Sequence, residues 1–332
     1  MPSIKDNVDI MFSCLSGYNM YQVSTKIQDP EFDICATHCQ NGTEVKIRRS
    51  ESLLNEENVQ KWKHFVEYPV DVSTMLWPVD VVKFEDNSEI GLVFRRRSLP
   101  KMEPIKTILY NDFLLDWHND KTQKLIINFL KQCVNMHNNG YLYHCFDLNR
   151  MFYNPVDMSV FFDFSLSLSQ IDDSVIVEKA DTGIEFLPPW CDMDADNEMS
   201  LKDENYTVSA IIFRLMIGRM PYQGRLMDGN GNMMNHLTDT DKDTHIMMFE
   251  AYRKNPIFIF DANDTSNSIG LFTAEEKYIE RWNSLPQNIK KMFSDALIVK
   301  NGKTSKTYSS IEWLNALEKF VFDKSKGDIA DE

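Results

Sequence analysis

The 332-residue sequence has little positive charge, few cysteines and no long apolar run. Lys and Arg total 35 against 50 Asp and Glu, and the net charge of −15 argues against nucleic acid and anionic lipid as main partners. The first residues, MPSIKDNVDIMFS, lack the charged-then-apolar order of a secretory signal. The six cysteines lie in scattered contexts that are typical of reduced thiols. We therefore expect a cytoplasmic protein that binds neither nucleic acid nor membrane.

One cysteine pair has a spacing that resembles a metal site. It is CATHC, with Cys35, His38 and Cys39. In the strand that this stretch predicts, the two cysteines share one face and the histidine lies on the other. No second ligand pair follows, so a structural role is the favoured interpretation.

The first hundred residues predict a small antiparallel sheet with one helix. Apolar and polar residues alternate in several short stretches, and Asn41-Gly42 is a typical two-residue hairpin turn. The pattern predicts strands over residues 21–27, 32–39, 43–49, 77–84 and 89–95, and a helix over 52–67.

The rest of the chain predicts mainly helices. Residues 122–140 have apolar side chains at helical spacing (Leu125, Phe129, Cys133 and Met136) and end at Gly140. Residues 206–218 are apolar nearly all round, which predicts a helix at the centre of a large core. Further helices are predicted over 273–297 and 309–322, with Thr273 and Ser309 or Ser310 as N-caps.

Two aspartates suggest phosphoryl-transfer chemistry. Asp147 and Asp163 each border a short apolar stretch in YHCFDLNRMFYNPVDMSVFFDFS. Phosphoryl transfer needs an acid that receives the substrate proton, an acid on the metal, and a lysine on the phosphates. Lys46 in EVKIRR is the well-placed lysine, although an exposed strand lysine is the plain alternative.

These motifs, in this order, resemble the protein kinase superfamily. FDLNRMF resembles its catalytic loop, FFDFS its metal-binding triplet, and GIEFLPPW the end of its activation segment. WPVDVV, NPIFIFDANDTSN and RWNSLPQNIKKMF resemble a bacterial branch found with metal-dependent phosphatases and von Willebrand-type domains. The resemblance implies a bilobal α+β fold, with a small antiparallel-sheet lobe carrying one helix over residues 1–97 and a larger helical lobe over 98–322. Residues 323–332 are expected to be a disordered tail.

The resemblance also implies a role for each site residue. Lys46 would contact the phosphates of ATP and pair with a glutamate, with Glu57 as the best candidate and Glu56 and Glu67 left open. Asp147 would accept the substrate proton and Asp163 would bind Mg²⁺. The nucleotide would also contact the strand residues Val93, Phe94 and Arg95.

Several family features are missing at the nucleotide and metal positions. The glycine loop is replaced by IQDPEF (residues 27–32), where Pro30 lacks an N–H and acids would repel phosphate. Glu44 replaces the small residue expected against adenine. Phe152 replaces the asparagine that ligates the second metal ion, and phenylalanine offers no oxygen ligand. Asn154 could substitute only if the loop slipped.

Supporting positions differ as well. Cys145-Phe146 replaces the His-Arg pair that precedes the catalytic aspartate. Trp190 and, approximately, Thr307 replace both members of a buried ion pair, which avoids leaving one charge unpaired. The acid that begins the central helix is Glu204, with Asp203 beside it.

The losses together predict a pseudokinase, a regulatory or binding module with at most weak affinity for ATP and Mg²⁺. One alternative is an active atypical Ser/Thr kinase that uses Lys46, Asp147 and Asp163. Another is a structural subunit with no cleft function. We expect a protein partner, such as a phosphatase or a von Willebrand-type domain protein.

Overall fold

The computed structural model describes residues 10–24, 34–50, 56–71, 75–84, 90–95, 102–110, 115, 117–144, 146–163, 169–170, 184–191, 199–225 and 250–325. The chain forms two compact units, residues 1–100 and 101–332. The predicted boundary, between residues 97 and 98, falls next to this division. We call them the barrel unit and the helical unit.

The barrel unit contains a closed antiparallel β-barrel of six strands in the order β1-β2-β3-β4-β6-β5. Closure comes from β1, which pairs with β2 on one side and with β5 on the other. The elements are β1 (Ile10–Ser13), β2 (Met20–Ser24), β3 (Ile34–His38), β4 (Glu44–Ser50), helix α1 (Glu56–Glu67), β5 (Pro78–Phe84) and β6 (Ile90–Arg95).

The barrel contradicts the predicted fold class. A barrel-containing α+β fold is not a bilobal kinase-like fold with a small sheet lobe, so that prediction is wrong. The five predicted strands and the helix form at their predicted places, with β2 beginning one residue earlier and β4 ending one residue later than predicted, but β1 was not predicted. This strand spans only Ile10–Ser13, too short to show a clear alternation, and its Met11 and Ser13 are buried.

The barrel interior is mainly apolar. Met11, Ile47 and Val93 are fully buried in it, and Gly91 lies so close that a Cβ would come within 2.5 Å of Ile47 Cγ2. The register of β5 against β6 shifts between Pro78 and Asp80, as at a β-bulge. The carboxylate of Asp80 is buried there.

The Asp80 carboxylate is satisfied by hydroxyl groups from the strands that close the barrel. Ser13 Oγ on β1 donates to Asp80 Oδ1 at 2.7 Å, and Tyr21 Oη on β2 donates to Asp80 Oδ2 at 2.9 Å. The Val81 amide also donates to Oδ1, at 2.8 Å. Burial of the Tyr21 phenol, together with the Asp80 charge, raises the pKa of Tyr21. The network therefore ties β1, β2 and β5 together at the seam.

The helical unit is built on long helices with short antiparallel β-pairs. Its sheets are β10-β9-β7, β11-β8 and β12-β13. The elements are β7 (Glu103–Pro104), α2 (Asp120–Asn138), β8 (Tyr141–Leu142), β9 (Met151–Tyr153), β10 (Val160–Phe162), β11 (Ser169–Gln170), α3 (Leu201–Ile217), α4 (Glu276–Asn283), α5 (Gln287–Leu297), β12 (Val299–Lys300), β13 (Lys303–Thr304) and α6 (Ser310–Ser325).

The apolar patterns of the helical unit are confirmed. The predicted stripe of α2 is buried, and residues 203–213 of α3 are buried on every side. Ser309 caps α6, because its hydroxyl accepts from the Glu312 amide while the Glu312 carboxylate accepts from the Ser309 amide. Thr273 is not a cap. It is the first residue of a 3₁₀ turn that follows Phe272.

Some predictions concern residues that the structure does not describe. They are the loop over 27–32, the side chain of Glu57, and Cys145. Helix α6 continues to Ser325, so the predicted tail over 323–332 begins inside the helix, and only 326–332 lie outside the described residues.

Candidate functional site

The Asp147 carboxylate is engaged in its own turn. Its Oδ1 atom accepts from both the backbone amide and the side-chain Nδ2 of Asn149, each at 2.8 Å. The Asp147 carbonyl accepts from the Arg150 amide at 2.9 Å, which closes the turn. This is an Asx-type turn, in which an aspartate caps the backbone that follows it. Half-buried Asp147 therefore has a clear structural role.

Asp163 lies directly after β10 and is held near the same turn. Its amide donates to the Arg150 carbonyl at 3.2 Å, and its carbonyl accepts from Tyr143 Oη at 2.7 Å. Because Arg150 also bonds to Asp147, the backbone of one residue connects both predicted aspartates. The structure thus links the backbones of Asp147 and Asp163 through Arg150, and their roles in phosphoryl transfer stay a prediction.

A buried carboxylate on α3 binds the backbone that leads into the Asp147 turn. Glu204 is fully buried, and its Oε2 atom accepts from the amides of Tyr143 at 2.8 Å and His144 at 3.3 Å. Its Oε1 atom lies 2.7 Å from His137 Nε2. Ser310 Oγ lies 3.4 Å from the other ring nitrogen of His137. Glu204 therefore joins α2, α3 and the Asp147 loop.

The line Ser310–His137–Glu204 has the order of an activated-serine triad, but it is enclosed. Ser310 is 1% exposed, so a substrate cannot reach its hydroxyl. The neighbouring Cys133 thiol is also buried, and burial, reinforced by the Glu204 charge, raises its pKa well above the ordinary value. Both nucleophiles are inert by location, and the cluster stabilises the loop. Sequence reasoning named Glu204 but missed His137, although His137 borders the apolar stripe of α2.

The positions expected to supply a second metal ligand do not supply one. Phe152 lies on β9, between Pro104 on β7 and Phe161 on β10, and carries an aromatic ring. Asn154 follows β9, and its Oδ1 accepts from the Val156 amide at 2.9 Å. The Asn154 side chain therefore caps the turn between β9 and β10 and is committed there.

Trp190 is held by Asp203, in the first turn of α3. Trp190 Nε1 donates to Asp203 Oδ1 at 2.6 Å, and its ring packs edge-on against Tyr206 with centroids 5.1 Å apart. Asp203 also forms a capping box with Ser200. An indole–carboxylate hydrogen bond thus anchors the residue predicted to replace half of an ion pair. Thr307, the other replaced position, precedes α6 and is half-buried.

In the barrel unit, Lys46 lies in the middle of β4, opposite Cys35 on β3 and Phe94 on β6. It is half-buried, and it alternates with Val45 and Ile47, which line the barrel interior. Lys46 therefore faces the outside of the barrel. Its contact with nucleotide phosphates stays a prediction.

The three strand residues predicted to contact nucleotide have different environments. Val93 is fully buried in the barrel interior, and Phe94 is fully buried beneath the guanidinium of Arg48, 5.5 Å from the ring centroid. Arg95, at the end of β6, is exposed. Of the three side chains, that of Arg95 is the accessible one.

The predicted acids of this unit lie on different elements. Glu57 belongs to the first turn of α1. Glu44 begins β4 opposite Thr37 and is exposed. The structure therefore places Glu44 at a strand end, where its charge is solvated.

Possible metal ligands are not clustered within the described residues. In that part of the chain, no three His, Cys, Asp or Glu side chains are grouped to hold a metal ion. In CATHC, His38 packs edge-on against Tyr21, with centroids 5.0 Å apart, and Cys39 is exposed in the turn after β3. None of the helices in the described ranges combines the length and apolarity that a membrane span requires.

The chain matches no protein-family model, and no curated protein matches it.

Proposed function

We propose that this protein is a binding or regulatory module that does not transfer phosphate. The observation that carries the proposal is the state of the Asp147 carboxylate, whose Oδ1 atom accepts two 2.8 Å hydrogen bonds from Asn149. A general base must reach the proton that it accepts. Asp147 would have to give up the bonds that shape its own turn.

The metal side of the chemistry supports the same proposal. Mg²⁺ requires six oxygen ligands in near-octahedral geometry, usually from one or two carboxylates, phosphates and water. Asp163 offers a carboxylate, Phe152 offers no oxygen, and Asn154 is committed to the turn after β9. A nucleotide–metal complex would depend on Asp163 and water, and we infer weak affinity.

The proposed partner is a protein, and the proposed compartment is the cytoplasm. The acidic net charge of −15 disfavours polyanions, and the reduced cysteines fit a reducing compartment. The partner classes that the sequence resemblance names are a phosphatase and a von Willebrand-type domain protein. Titration calorimetry with a purified candidate of each class tests this part of the proposal.

Transfer of labelled phosphate from ATP, to the chain itself or to a generic protein substrate, tests the central proposal. We expect no transfer by the native protein and none by Asp163→Ala. The matched control is Asp157→Ala, which removes an exposed acid from the turn between β9 and β10. Transfer at about 1–100 s⁻¹, abolished by Asp163→Ala but not by Asp157→Ala, would show that the protein is an active kinase.

A thermal-shift titration with ATP and Mg²⁺ separates the two non-catalytic alternatives. A ligand that binds only the native state raises the unfolding temperature by mass action. We expect a small rise that needs millimolar nucleotide and is lost in Asp163→Ala. No rise at any concentration would favour a structural subunit without nucleotide binding.

A further inference from the structure

A cavity of about 280 Å³ lies in the barrel unit where α1 ends and β5 begins. Its lining includes Val66 from the last turn of α1, Met75 and Trp77 from the connecting segment, and Pro78 from the start of β5. Arg95, at the end of β6, completes the wall. All of these lining residues belong to the barrel unit.

The apolar wall is rigid before any ligand arrives. Trp77 Nε1 donates to the Phe65 carbonyl at 2.7 Å, and the two rings pack edge-on with centroids 5.9 Å apart. Met75 and Trp77 are almost fully buried, and Pro69 and Pro78 restrict the backbone on either side. A preformed site loses little conformational entropy on binding.

The charge of the cavity comes from Arg95. Among the described residues, the exposed Arg95 side chain forms no hydrogen bond or ion pair. The acids nearest to Pro69 in sequence, Glu67 and Asp71, are exposed and are not part of the lining. Arg95 also begins Arg95–Arg97, the one basic cluster that stands out in an acidic chain. Of the described residues that line this largely apolar cavity, Arg95 is the one cation.

We propose that this cavity binds a small amphipathic carboxylate, with its apolar body against Val66, Pro69 and Leu76 and its anionic group on Arg95. A dry apolar cavity of about 150 Å³ holds one benzene ring. A volume of about 280 Å³ therefore suits a body of one to two rings or a medium-length alkyl chain. The guanidinium matches a carboxylate through paired N–H donors.

Fluorescence titration with 2-naphthoate, a fluorescent two-ring aromatic carboxylate, tests the proposal on the full chain. We expect one binding site, with octanoate displacing the probe and octanol competing poorly. Arg95→Gln should weaken binding of the probe about tenfold, because a charge-assisted hydrogen bond is lost. The matched control, Lys83→Gln on β5, removes an exposed cation outside the cavity and should leave binding unchanged.

A second variant tests the position of the apolar body. Val66→Trp should fill the cavity and abolish binding of 2-naphthoate as well as of uncharged 2-naphthamide, whereas Arg95→Gln should weaken only the binding of the anion. If Val66→Trp unfolds the protein, the binding of the charged and uncharged probes to Arg95→Gln still tests the proposal. The proposal fails if the native protein binds no probe, binds several molecules, or binds equally well after Arg95→Gln.

Discussion

Replacing Glu204 with alanine should destabilise the helical unit more than any exposed substitution of the same kind. The Glu204 carboxylate is fully buried and accepts from His137 Nε2 at 2.7 Å and from the Tyr143 amide at 2.8 Å. A longer bond, at 3.3 Å, comes from the His144 amide. Alanine would leave these donors buried without an acceptor.

The expected loss in free energy of unfolding can be worked out from these donors. A buried donor that loses its acceptor costs about 1–3 kcal/mol. The two short bonds of Glu204 together give about 2–6 kcal/mol by the same figure. We expect the measured loss in free energy of unfolding to lie in this range, because these buried donors lose their acceptor together. Glu204→Gln keeps the shape and one acceptor oxygen, so its cost should be about 1–2 kcal/mol.

Urea unfolding gives the free energy, and amide hydrogen exchange over residues 201–217 reports the local effect in α3. The matched control is Glu318→Ala on α6. Glu318 is 44% exposed and pairs with Lys131 at 3.1 Å, so its loss should cost less than about 1 kcal/mol. If Glu204→Ala costs no more than Glu318→Ala, Glu204 does not hold the loop.

Three further predictions concern the hydrogen bonds between the strands that close the barrel, the N-cap of α6, and the dependence of stability on pH above 10. Tyr21→Phe removes the hydroxyl that donates to Asp80 at 2.9 Å, and thermal unfolding should show a loss of about 1–2 kcal/mol, against none for Tyr18→Phe at an 82% exposed residue. Ser309→Ala removes the N-cap of α6 and should cost about 1 kcal/mol, seen as faster amide exchange in its first turn. Burial raises the pKa of Tyr252 to about 12 from 10.0, so the stability it contributes is full below pH 10 and is lost as pH rises toward 12. The slope of the unfolding temperature over that pH interval should decrease in Tyr252→Phe; an unchanged slope would refute this assignment.

Part of the candidate site was predictable because it is local. Asp147 and Asp163 were chosen from one stretch of 23 residues, and the structure joins both to the backbone of Arg150. The replacement of a metal ligand by Phe152 was also predicted from sequence alone. The sequence did not reveal that Asn149 occupies the Asp147 carboxylate, because several side-chain rotamers are compatible with the same residues.

Partners that are distant in sequence were beyond prediction. The hydrogen bond between Trp190 and Asp203 and the contact of His137 with Glu204 depend on how α2, α3 and the preceding loop pack. The cavity beside Arg95 likewise requires α1, β5 and β6 to meet. Residue spacing along the chain does not predict these long-range contacts, since many packings satisfy the same local patterns.

The sequence by itself determined the local elements, namely the five longer strands, helix α1, the apolar stripe of α2, the buried α3 and a cap at Ser309 or Ser310. These follow from residue periodicity and side-chain hydrogen bonds within a few positions. The tertiary structure decided that the sheet closes, because Ile10–Ser13 pairs with both β2 and β5. The pairing of β1 with β5 joins residues that are some seventy positions apart, and no short stretch of sequence encodes it. The four-residue strand β1 forms because the edges of β2 and β5 both lie within hydrogen-bonding distance of it.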